Sequence, residues 1–288
     1  MTTALAVAVL SACERVVSVT VPVAEVRLVV EARLERARGA VAADQVIRLT
    51  TTEGVFSSSG TPPAATGATV RVVAADGAIT PFTERAGEPG VFVARAMPLV
   101  VAAPYTLEIT WDGDRYAATE TMQPAVTLDS LYFTVGNARP GRPSGLAASI
   151  RLLDPAGERN FYLWDQWVNG RRQVSPDSTT FTRAVLSDDI LDGAVITDFT
   201  PYGGIILQPT EVVRLRQLSI SEQAYRFYAA LSAQTGNDGS PFAVPAGSVR
   251  GNVANVTRPG RLALGYFIAG EYTEREARVG GLLSSGEP

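Results

Sequence analysis

From Val26 onward, apolar residues recur in short runs at a spacing of two, broken by Gly, Pro, Asp and Asn. That period belongs to half-buried strands rather than helices. "VRLVVEARL" (26–34), "DQVIRLTTT" (44–52), "ATVRVVAAD" (68–76), "GVFVAR" (90–95), "YTLEITWDG" (105–113) and "RYAATETM" (115–122) predict six or seven strands. Asp76-Gly77 and Asp112-Gly113-Asp114 fall where hairpins need positive φ. Such a stretch over 26–123, closed by Pro124, predicts an immunoglobulin-like β-sandwich without the Cys-Trp-Cys core.

The pattern continues over 126–274, which predicts a second β-sandwich or barrel-like domain. "DSLYFTV" (129–135), "GLAASIRLLDP" (145–155) and "RNFYLWDQWVNGRRQV" (159–174) read as strands, and Asn169-Gly170 as a type I′ hairpin turn. "TEVVRLRQLSIS" (210–221) is a further strand. One α-helix follows, over about 219–235. Ser219 and Glu222 have capping-box spacing, Ala224, Phe227, Tyr228 and Leu231 form an apolar stripe, and Gly236 stands where a C-terminal glycine belongs. "RLALGYFIAGEYTE" (261–274) returns to strand, and 275–288 is expected to be a disordered tail. The fold class is therefore all-β with a single helix.

Composition narrows the chemistry. Of 288 residues, 46% are hydrophobic, as in globular cores. The net charge is −4, every basic residue is Arg, and the arginines are scattered, so a nucleic-acid partner has no support. The chain has no histidine, which removes Ser-His-Asp and Cys-His catalysis and histidine metal sites. Its one cysteine forms no internal disulfide and suits no zinc site.

That cysteine, Cys13, follows the uncharged run Ala4–Leu10 and the small residues Ser11-Ala12. Short apolar run, then small residues, is the layout of a secretory signal, although Met1-Thr2-Thr3 brings no positive charge and the run is short. Leu10-Ser11-Ala12-Cys13 resembles the bacterial lipobox, in which the cysteine is acylated and becomes residue one. Acyl chains gain about 0.8 kcal/mol per buried CH₂, so a multiply acylated terminus anchors stably. The expected layout is a signal peptide over 1–12 and a tether over 13–25.

Cys13-Glu14, "RLVVEA", "DSLYF", "NFYLWDQWVNG", "DDILDG", "VRLRQLSIS…AYRFYAALSAQTG", "PFAVPAGSVRGNV" and "ALGYF", in that order, resemble the domain-of-unknown-function 4249 family. The likeness runs from Cys13 to about Tyr272. It implies export, acylation at Cys13 and an all-β body. The family consists of predicted lipoproteins of Bacteroidota-like bacteria, frequently encoded beside TonB-dependent outer-membrane receptors, and implies no reaction.

Candidate sites are few. In "FYLWDQW", Phe161, Leu163, Asp165 and Trp167 share one face of a strand and Tyr162, Trp164 and Gln166 the other. Core packing is the first reading of such a strand, because aromatics dominate burial. A ligand surface, if formed, would use Trp164, Asp165 and Trp167, with Tyr202 on the Gly-rich loop Tyr202-Gly203-Gly204. Asp188, Asp189 and Asp192 offer oxygen ligands for calcium, weighed against an ordinary acidic turn at Asp192-Gly193. Asp112 and Asp114 read as a turn, and Asn255-Val256-Thr257 is a glycosylation sequon. No catalytic residue and no cofactor beyond that calcium are expected. The leading expectation is a non-catalytic lipoprotein of the outer membrane, on a side left open, serving a TonB-dependent receptor as an accessory or ligand-capturing partner. The alternatives are a structural or adhesive surface protein that assembles through strand edges, and a hydrolase with two perturbed carboxylates.

Overall fold

The computed structural model describes residues 25–53, 61–136, 145–173, 185–189, 191–235 and 249–280. Among the described residues, seven strands make the first half: β1 (Leu28–Ala37), β2 (Ala42–Thr51), β3 (Thr69–Ala74), β4 (Ile79–Glu84), β5 (Val91–Pro98), β6 (Pro104–Trp111) and β7 (Asp114–Thr121). The second half holds β8 (Ser130–Gly136), β9 (Gly145–Leu153), β10 (Phe161–Val168), β11 (Arg171–Arg172), β12 (Val185–Ser187), β13 (Val195–Phe199), β14 (Val212–Ser219), α1 (Glu222–Thr235), β15 (Ala254–Asn255) and β16 (Leu264–Arg278). Among the described residues the protein is all-β with one helix, as the residue pattern predicts.

The two-residue turns behave as their sequences demand. Asp112 and Gly113 between β6 and β7 both have positive φ, as do Asn169 and Gly170 between β10 and β11. β4 is the strand the pattern hides, because Pro81 interrupts it and Phe82 is its one buried residue. It joins the two faces of the sandwich, pairing with β3 through Ile79–Phe82 and with β5 through Thr83 and Glu84.

Between these faces lies a core of alternate residues: Val30, Ala32 and Leu34 of β1, Ile47 and Leu49 of β2, Val70 and Val72 of β3, Leu107 and Ile109 of β6. Phe267 and Ala269 of β16 complete it. The last strand thus enters the first half, pairing in parallel with β1 from Val29↔Leu264 to Ala37↔Tyr272. It then continues beside β14, from Leu218↔Tyr272 to Val212↔Arg278. Arg275 to Arg278, expected to open a disordered tail, are strand, because β14 offers them a full partner and Val279 plugs the second core. Residues 281–288 of that expected tail lie outside the described residues.

Beyond β14 the sheet adds β10, so both faces of β10 are covered. Tyr162 and Trp164 meet the three-stranded sheet β13-β9-β8, and Phe161 and Leu163 meet α1. The helix starts at Glu222, later than expected. Ser221 caps it by accepting the Ala224 N–H at 3.2 Å, while Ser219 finishes β14 and its hydroxyl accepts the Val126 N–H. Its stripe does face the sheet: Ala224 and Phe227 are buried against Leu163, Leu218 and Ile268, with Tyr228 and Leu231 beside them. Gly236 lies outside the described residues.

Candidate functional site

The sheet face under α1 changes character along its length. Strand alternation puts Leu163, Asp165 and Trp167 of β10 on this face, cross-strand from Leu218, Arg216 and Arg214 of β14. Glu274 of β16 pairs with Arg216, and β1 contributes Glu31, Arg33 and Glu35. Near the helix the face is apolar; beyond it the face is a chain of ions.

That chain is continuous. Arg172 of β11 lies 3.8 Å from Glu31 and 2.5 Å from one oxygen of Asp165, while Arg33 donates to the other oxygen at 2.7 Å. Arg33 also meets Glu35 at 3.3 Å, Glu35 meets Arg216 at 2.7 Å, and Arg216 meets Glu274 at 3.0 Å. Burial alone would raise the Asp165 carboxyl, but the Arg33 and Arg172 charges outweigh it and hold the group below the ordinary carboxylate range. Burial likewise lowers Arg33, and Asp165, Tyr228, Glu35 and Glu31 together more than reverse it. The Arg216 guanidinium stacks 3.7 Å from the Tyr272 ring centroid.

Where the apolar and ionic parts meet, a cavity of about 250 Å³ lies between α1 and the sheet. Leu163, Val185, Phe227, Leu231 and Tyr266 supply apolar wall, and Arg33, Asp165 and Arg172 its polar end. Gly265 brings β16 close beneath it, at a φ of 86°, where an added Cβ would stand 2.0 Å from the Val30 carbonyl. The hydroxyl of Tyr266 points away to Glu120 of β7, which also accepts from Ser221 and Asn252.

The four residues singled out as a ligand surface are not brought together as an open platform. Trp164 is fully buried in the second core, its ring N–H donating to Gln217 at 3.1 Å, and Phe199 packs on it. Trp167, on the opposite face, is covered by the Arg214 guanidinium at 4.4 Å from the ring centroid. Tyr202 is buried and donates its hydroxyl to the Trp164 carbonyl at 2.8 Å. Asp165, Trp164 and Tyr202 nevertheless line the cavity, and Trp167 does not.

The acidic loop turns its carboxylates to separate partners. Asp188 accepts the Asn160 N–H at 2.6 Å, Asp192 the Gly157 N–H at 2.6 Å, and Asp189 pairs with Arg159 at 2.8 Å. Asp114 is more than a turn residue. Its buried carboxylate receives Arg258, Arg261 and Asn255, and the Arg258 hydrogen bond leads the causes that bring it down to about 2. The Asn255 amide of the sequon is therefore buried against Asp114, away from solvent. Cys13 lies outside the described residues.

Arg33, Arg172, Glu35 and Arg216 were not foreseen as site residues. Their trace in the sequence is the alternation of Glu31, Arg33 and Glu35 opposite Val30, Ala32 and Leu34, which by itself reads as a solvated strand face. A family model described as a domain of unknown function (DUF4249) matches residues 14–276. No curated protein matches the chain.

Proposed function

From a chain that belongs to the DUF4249 family, described only as a domain of unknown function, we propose a non-catalytic cell-envelope lipoprotein, anchored through Cys13, that captures a small ligand for a TonB-dependent outer-membrane transporter. The observation that carries the ligand-capturing part is the cavity of about 250 Å³ with an apolar wall and a charged end. The non-catalytic part is supported by Asp165, whose two oxygens are both engaged by arginine and whose carboxyl is held below the ordinary carboxylate range, away from the near-neutral poise a general acid or base needs. The address rests on the lipobox-like Leu10-Ser11-Ala12-Cys13. Assembly through strand edges has less support, since the main sheet ends, among the described residues, in β11 and β15 of two residues each.

The test has two arms. Mass spectrometry of the native N-terminus should find an acylated Cys13, and an unmodified terminus upstream of it removes the membrane from the proposal. Pull-down from solubilised outer membrane should recover a receptor, and repeated recovery of the lipoprotein alone removes the transporter.

A further inference from the structure

Three features of the cavity restrict what it holds. Its wall is apolar on the helix side, through Phe227 and Leu231, and on the sheet side, through Leu163 and Tyr266. A dry apolar cavity of about 150 Å³ accommodates benzene, so by scaling one of this size holds about ten non-hydrogen atoms.

The charges at its polar end are already balanced. Asp165 spends one oxygen on Arg33 and the other on Arg172, and the two guanidiniums face two more carboxylates, Glu35 and Glu31. A ligand carboxylate would have to displace Asp165 while approaching Glu31, and an ammonium would have to pull Asp165 from its arginines. Either exchange leaves a desolvated charge without its partner.

One donor at that end is unspent. The Nε–H of Arg33 is buried and has no hydrogen-bond partner among the described residues, although Nη1 of the same side chain is engaged by Asp165 and Glu35 and the Tyr228 side chain lies against the same guanidinium. A buried unpaired N–H carries a desolvation penalty that a neutral oxygen placed opposite it relieves.

We propose that the cavity binds an uncharged, mostly hydrophobic molecule of about ten non-hydrogen atoms bearing one accepting oxygen, such as a ketone, ester or lactone carbonyl, with that oxygen on Arg33 Nε. The assignment rests on reading the cavity as the ligand site.

Four matched probes test it on the full-length protein by calorimetry and saturation-transfer NMR: butylbenzene, 4-phenyl-2-butanone, 3-phenylpropanoate and 3-phenylpropylamine. The ketone should bind about tenfold more tightly than butylbenzene, and both charged probes about tenfold or more below the ketone. Arg33→Lys keeps the charge opposite Asp165 but lacks Nε, and should bring the ketone down to the level of butylbenzene. Leu231→Trp fills the cavity from the helix side without touching Arg33, and should abolish binding of every probe while thermal unfolding stays cooperative. Equal binding of ketone and butylbenzene, or preference for the carboxylate or amine, overturns the neutral-acceptor assignment and leaves the cavity as a ligand site. Failure of all four probes to bind overturns both.

Discussion

The Tyr266 hydroxyl donates to the Glu120 carboxylate across 3.1 Å, so a ring that walls the cavity is tied to the far strand of the first sandwich. Glu120 is buried, and Ser221, Asn252 and Tyr266, its side-chain donors, are all neutral.

Burial raises the Glu120 carboxyl above its ordinary value of 4.5, by more than these hydrogen bonds lower it. The folded state then holds the proton to higher pH than the unfolded chain. Its contribution to stability is complete below the unfolded value and is lost as pH rises through the folded one. Melting temperatures of Glu120→Gln should be flatter than wild type across that window and higher at its alkaline end. Parallel curves would show that the group does not titrate differently on folding.

Asp165 has the opposite sign. Its folded value lies below 3.8, so its contribution is present at neutral pH and disappears as pH falls through that folded value. Asp165→Asn leaves Arg33 and Arg172 without their shared anion and should cost about 3 kcal/mol in urea unfolding at neutral pH. Asp165→Leu combined with Arg33→Met should be less destabilised than Asp165→Asn, since the uncompensated charge is reduced. A double variant as weak as the single one would contradict this account.

Gly270 lies where β16 passes from β1 to β14, and an added Cβ would stand 2.0 Å from the Ser219 carbonyl. Backbone cannot yield as a side chain does, so Gly270→Ala should cost about 3 kcal/mol. Gly260 has nothing within 4 Å of its added Cβ, and Gly260→Ala should stay within about 0.5 kcal/mol of wild type. Denaturant midpoints of the two variants decide the point.

The two tryptophans of β10 should separate by experiment. Trp164→Ala removes a fully buried ring and should cost about 4 kcal/mol. Trp167→Ala removes a half-buried ring under Arg214 and should cost about 1 kcal/mol. Acrylamide should quench the fluorescence of Trp164→Phe more readily than that of Trp167→Phe, because only the former loses the protected indole.

The residue pattern reveals what is local. Period-two alternation locates the long strands, and Asp-Gly and Asn-Gly locate the hairpins, because both express backbone geometry within a few residues. β4 escapes because Pro81 looks like a break, and the helix cap is displaced from Ser219 to Ser221 because both serines precede an acidic residue. The parallel pairing of β1 with β16 is invisible, since nothing near Val29 specifies a partner as distant as Leu264. The ionic chain escapes for the same reason. Glu31, Arg33 and Glu35 look solvated until β10, β14 and β16 are laid beside them. Aromatic alternation around Trp164 was legible, and the reading that favoured core packing there agrees with its burial.

Arg36 of β1 pairs with Glu271 of β16, residues 235 positions apart in the chain. A ribosome delivers β1 long before β16. Until β16 emerges, the first sandwich has an open flank where Phe267 and Ala269 belong. The fold therefore cannot close until β16 has been made, and a chain cut short after residue 123 carries, among the described residues, seven strands and an unsealed core.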